Sequence, residues 1–126
     1  MPDGAGPDPE RAMQATFAYA IKFVADMDKA VAFYRDTFGL TVKFATPQWS
    51  EFNTGAVTLA LHPASEKNPA GSVQLGFRAL DVAAIHAGRE AAGLSFTAAP
   101  YEEHGTLLSR LLDCEGVEVS LSGSGA

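Results

Sequence analysis

Asp26-Met27-Asp28-Lys29-Ala30-Val31-Ala32-Phe33-Tyr34-Arg35-Asp36-Thr37-Phe38-Gly39-Leu40 spells a short helix together with its start and its stop. Asp26 is a good N-cap, because its carboxylate accepts hydrogen bonds from the free amides of the first turn. Met27, Ala30, Val31, Tyr34 and Phe38 fall at helical spacing and form the expected buried stripe. Gly39 is a natural stop. Upstream, Tyr19-Ala20-Ile21-Lys22-Phe23-Val24 is an apolar-rich, strand-like run, and Asp26 follows Tyr19 by seven residues. The same order recurs downstream. Asp81 follows Gln74 by seven residues, Val82, Ile85, Arg89 and Ala92 come at helical spacing, and Gly93-Leu94 answers Gly39-Leu40. The step from Asp to Gly is one residue shorter in the second copy. Letters differ while pattern persists, which is the mark of a duplicated supersecondary unit.

Short strand-like runs follow each helix. They cover residues 40–45, 49–52 and 57–62 in the first half, and 95–98, 106–112 and 117–121 in the second. Turn signals separate them: Thr46-Pro47, Asn53-Thr54-Gly55, Ala99-Pro100 and Asp113-Cys114-Glu115-Gly116. The polar, breaker-rich residues 63–71 read as a linker. Each half is therefore strand-helix-strand-strand-strand. The fold class expected is α+β: two tandem βαβββ modules, residues 16–62 and 72–122, forming a curved mixed sheet around a cavity within a single domain, 16–126. Residues 1–15 read as a disordered tail, and 122–126 as frayed.

Alternation assigns faces. Leu59, Leu61, Val119 and Leu121 should meet the helices, leaving Ala60, His62, Glu118 and Ser120 toward the cavity. Leu75 and Phe77 should likewise face a helix, with Gln74, Gly76 and Arg78 opposite. Lys22 falls on the helix-facing side, where an apolar residue would fit better.

The Asp26–Leu40 stretch, together with Asp113-Cys114-Glu115-Gly116-Val117-Glu118-Val119, resembles the vicinal oxygen chelate superfamily of glyoxalases, bleomycin-resistance proteins and extradiol dioxygenases. The resemblance covers roughly residues 17–122. It implies a homodimer, and in metal-dependent members a ligand on the first and last strand of each module, of Gln, His or Glu type. Those positions hold Tyr19, Ala60, Gln74 and Ser120 here. Alanine cannot ligate, serine rarely does, and tyrosine and glutamine are poor ligands without a carboxylate or imidazole beside them. The usual metal is expected to be absent, and no cofactor is implied.

Charge and composition exclude other classes. Nine basic residues against fifteen acidic ones give −6, with the cations scattered, so neither nucleic acid nor a membrane is an expected partner. No apolar run is long enough to span a bilayer. Without a secretory leader at Met1 the expected location is cytoplasmic. Cys114 is the single cysteine and reads as a loop thiol.

Several residues still carry chemistry. Trp49 offers a ring to a planar or apolar ligand. His62 lies two residues beyond Ala60, about 7 Å along the strand, and reads as a rim hydrogen-bonding group or a base. Arg78 suits a carboxylate. His104, in Tyr101-Glu102-Glu103-His104-Gly105, sits in an acidic loop, and His86 reads as a surface or packing residue. The expected function is binding of a small, aromatic or partly anionic molecule between the modules, without a catalytic metal. Tyr19, Trp49 and Phe52 supply apolar contact; Gln74, Arg78, His62, Glu118 and Ser120 orient the ligand. The alternative is a metal-dependent lyase, isomerase or dioxygenase of the glyoxalase type with a relocated site around His62, Glu118 and Glu51. A purely structural role is a third reading.

Overall fold

The computed structural model describes residues 15–124. The tail expected over 1–15 thus lies outside the described residues except for Ala15. Within them the chain is mixed α+β, and its element order is that of two βαβββ modules. The first consists of β1 (Ala15–Val24), α1 (Met27–Ala32), β2 (Thr41–Ala45), β3 (Ser50–Asn53) and β4 (Thr58–Pro63). The second consists of β5 (Val73–Ala79), α2 (Val82–Ala87), α3 (Arg89–Ala92), β6 (Phe96–Glu103), β7 (Thr106–Leu112) and β8 (Glu118–Gly123). Two compact units result, one over Ala18–Leu75, called the N-terminal unit, and one that joins the chain up to Phe17 to the stretch from Gly76 onward, called the C-terminal unit. No helix among the described residues is long and apolar enough to cross a membrane.

In the N-terminal unit the strand order is β2-β3-β4-β1. β1 runs parallel to β4, and the other neighbours are antiparallel. Val24, Val31, Phe52 and Leu61 form the core beneath α1, with Met27, Ala30 and Tyr34 packed against it. Lys22 shares the strand face of Val24 and is half-buried. A lysine is tolerated there because its stem can lie along apolar surface while the ammonium reaches water.

The expected helical stripe is followed as far as Tyr34. Beyond α1 the chain widens into a π-helical turn, Phe33–Thr37, in which the Phe38 amide donates to the Phe33 carbonyl at 3.2 Å. One extra residue in the turn carries Phe38 off the stripe, and it is 61% exposed.

In the C-terminal unit the order is β5-β8-β7-β6, again with one parallel pair, β5 with β8. Ala79, Val82, Ile85 and Leu121 form its core, joined by Phe77, Phe96 and Leu111. Its expected single helix is broken at Gly88. At 1.5 Å per residue α2 is only about 9 Å long. It reaches Phe77 but leaves Leu75, expected beneath it, exposed. The Ala99-Pro100 turn is not a turn: β6 continues to Glu103, with a register irregularity between Ala98 and Tyr101 that accommodates the proline. The chain reverses instead at His104-Gly105, both at positive φ, in a two-residue hairpin loop. Ser122 and Gly123, expected to be frayed, close β8.

Both repeated aspartates cap as expected. The Lys29 amide donates to the Asp26 carboxylate at 3.1 Å, and the Ala84 amide to Asp81 at 3.0 Å. Asp26→Ala and Asp81→Ala should each cost about 1 kcal/mol of unfolding free energy, read from urea denaturation.

Candidate functional site

Strand alternation sends Tyr19, Ile21 and Phe23 of β1 and Ala60 and His62 of β4 to the face of the N-terminal unit away from α1. Ile21, Phe23 and Ala60 are buried there, with Tyr19 and Trp49 packed against them. Three edge-to-face ring contacts link this far face. Tyr19 and Trp49 have centroids 6.3 Å apart, Trp49 and His62 6.1 Å, and Phe23 and His62 5.3 Å. Such pairs contribute about 0.5–1.5 kcal/mol each beyond burial, so the rings hold one another in place.

Trp49 has a second restraint. Its indole N–H donates to Glu51 Oε2 at 2.7 Å, and Lys43 Nζ lies 3.7 Å from Oε1. Glu51 is itself 8% exposed, so this carboxylate is buried with two partners and fixes the orientation of the indole. His62 is exposed at its rim, and its Nδ1 lies 2.8 Å from the Pro63 carbonyl. A carbonyl only accepts, so Nδ1 carries the hydrogen, and in the neutral ring Nε2 holds the lone pair for a ligand donor.

Phe52, expected among the ligand contacts, belongs elsewhere. It points from β3 into the core under α1 and is fully buried. Glu51 takes the far face in its place, because neighbouring strand residues alternate. Gln74 is buried at 7% exposure. A groove of about 360 Å³ lies between α1 and the β2–β3 turn, walled by Met27, Asp28, Val31, Arg35, Thr46 and Pro47, away from the ring cluster.

In the C-terminal unit, Arg78, Ser120 and Glu118 share the face away from α2. Thr97 Oγ1 donates to the Glu118 carboxylate. Sequence reasoning missed Arg110, which stands beside Ser120 in register on that same face. It also missed Glu51 as the tether of Trp49; the i, i+2 spacing of the two was the available signal.

The metal-ligand positions of the resembled fold do not fit a metal ion. One of them, Ala60, is a fully buried methyl packed against Ile21 and Phe23. The remaining three offer a phenol, an amide and a hydroxyl, and no imidazole or carboxylate. For the relocated site, no three His, Cys, Asp or Glu side chains among the described residues are placed to hold a metal ion. His62 and Glu51 are instead occupied with Pro63, Trp49 and Lys43.

A family model described as the Glyoxalase/Bleomycin resistance protein/Dioxygenase superfamily matches residues 16–121. No curated protein matches. Among solved structures, a variant of Streptomyces coelicolor methylmalonyl-CoA epimerase in complex with 2-nitronate-propionyl-CoA has a TM-score of 0.68 at 22% identity, covering 90% of this chain and 97% of that one. A glyoxalase/bleomycin resistance protein/dioxygenase superfamily member from Vibrio splendidus has a TM-score of 0.66 at 14% identity, covering 88% and 98%. A protein titled NAD-dependent benzaldehyde dehydrogenase from Legionella pneumophila reaches 0.68 at 16% identity, covering 84% and 97%. At these identities the likeness is one of fold.

Proposed function

We propose that this chain, which belongs to the Glyoxalase/Bleomycin resistance protein/Dioxygenase superfamily, binds a small organic molecule directly, without a catalytic metal. The observation that carries the reading is the Tyr19–Trp49–His62 ring cluster on the far face of the N-terminal unit, with Glu51 fixing the indole. A preset aromatic surface next to a single lone-pair acceptor, His62 Nε2, suits a planar molecule bearing one donor. Gln74 is the polar group proposed to help orient it there. On the C-terminal unit, Arg78, Glu118 and Ser120 are proposed as a polar ligand surface in their own right. The metal positions support the reading by what they hold, above all the buried methyl of Ala60. The chain is proposed to act as a homodimer in the cytoplasm.

Trp49 is the only tryptophan, so intrinsic fluorescence reports this face alone. A panel of planar aromatics should include molecules that change Trp49 emission saturably. Tyr19→Ala and His62→Ala should each weaken that binding by about 2- to 12-fold, the equivalent of about 0.5–1.5 kcal/mol. No saturable change across the panel, or affinities unmoved by both variants, would sink the reading.

A further inference from the structure

On the far face of the C-terminal unit, which it shares with Glu118, Arg110 makes no ion pair among the described residues. Gly76, Ser120, Arg110 and Ala98 stand in one register row across β5, β8, β7 and β6. Residues paired across strands share a face, so the Arg110 side chain rises from a row whose other members are small. In the adjacent row, Arg78 pairs with Ser122, Ser122 with Leu108, and Leu108 with Tyr101. The Tyr101 hydroxyl lies 3.5 Å from Arg110 Nη2, a long contact at the edge of hydrogen bonding. Arg110 is half-buried, and among the described residues no carboxylate lies within ion-pairing distance of it.

Arg110 spends at most one of its five donors on a protein group, so the others can meet a ligand acceptor in exchange for water. Its planar fork matches a carboxylate bidentately. Ser120 sets a hydroxyl beside it, while Gly76 and Ala98 leave room above the sheet. We infer that Arg110, flanked by Ser120 and steadied by Tyr101, is the receiving group for the carboxylate of an organic acid. The inference rests on the reading that the C-terminal unit presents a polar ligand surface of its own, and it names the chemical class that surface receives.

Benzoate, phenyl phosphate and the neutral isostere benzamide separate the possibilities. The Arg110 Nε–Hε resonance, assigned by its loss in Arg110→Gln, is followed by ¹⁵N-correlated NMR while each probe is added. Benzoate should shift it saturably, and benzamide should not. Affinity for benzoate should fall about 10- to 100-fold in Arg110→Gln. Arg110→Lys should recover only part of that loss, because an ammonium keeps the charge and loses the fork. Retained amide dispersion in both variants shows that they fold. Tighter binding of phenyl phosphate than of benzoate would overturn the carboxylate assignment in favour of a phosphate. An unmoved Arg110 resonance, or benzoate affinity unchanged in Arg110→Gln, would overturn the site itself. Trp49 emission in the same titrations keeps the two ideas apart. A fluorescence response without an Arg110 shift removes this inference and leaves the aromatic face standing, whereas an Arg110 shift without a Trp49 response upholds this inference and leaves the aromatic face to the panel titration.

Discussion

Phe52→Ala is expected to lower the unfolding free energy by about 3–5 kcal/mol, the usual cost of emptying a fully buried phenylalanine site. Phe52 is 0% exposed and packs with Val24, Val31 and Leu61 beneath α1, 5.9 Å from the Tyr34 ring. The residue is central to a β-strand on one side and to a helix on the other, so neither can collapse into the void without losing its own contacts. Urea unfolding followed by far-UV circular dichroism gives the number. Phe52→Leu should lose much less, because a branched aliphatic side chain refills most of the space. The same pair tests the assignment of Phe52 to the core. A binding contact on the far face would instead leave stability nearly intact and weaken ligand affinity.

Gly123→Ala should cost about 2–4 kcal/mol although it adds a single methyl. A Cβ built at Gly123 lies 2.0 Å from the Ala79 carbonyl oxygen and 3.3 Å from Val82 Cγ2. The first neighbour is backbone in a paired strand, not a side chain that can swing away. Gly123 pairs with Ala79 on one side and Leu107 on the other, at a φ of 156°. The chain can relieve the clash only by releasing the end of β8. That also frees Ser124, whose carbonyl accepts from the Val82 amide at the start of α2 at 3.2 Å. Denaturation should therefore show a stability loss, and hydrogen exchange should localise it to the Val82 amide and the paired residues of β7 and β8. Unchanged protection at Val82 would contradict this coupling.

What the residue pattern conveys is local, and so is what it conveyed correctly here. Asp26 and Asp81 cap helices because a carboxylate at that spot answers amides three residues on. Alternation in β4 and β8 put Leu61 and Leu121 under helices and Ala60 and Ser120 on the opposite faces. The difficulties arose where alternation is mute or a tertiary partner overrides it. In β3, Ser50, Glu51 and Phe52 are all buried, so burial alone does not reveal which of them faces α1. Phe38 continues a perfect helical stripe and is lost from it by a π-helical turn that no residue type announces. Pro100 looks like a turn residue and sits in a strand because β6 is irregular there. Arg110 has neighbours in chain order, Ser109 and Leu111, that read as core; only the pairing with Ser120 and Ala98 reveals an anion-receiving row. Long-range register of that kind is absent from any single segment.

Direct ligand binding without a metal is tested most simply by one titration performed in two buffers. The strongest binder of the aromatic panel is titrated against Trp49 emission in protein stripped with a chelator, and again with Zn²⁺, Ni²⁺, Mn²⁺ or Fe²⁺ restored. The Tyr19–Trp49–His62 surface predicts one affinity in both. Binding that appears only with a metal, and is lost again in His62→Ala, would contradict the account and establish a metal centre around that histidine.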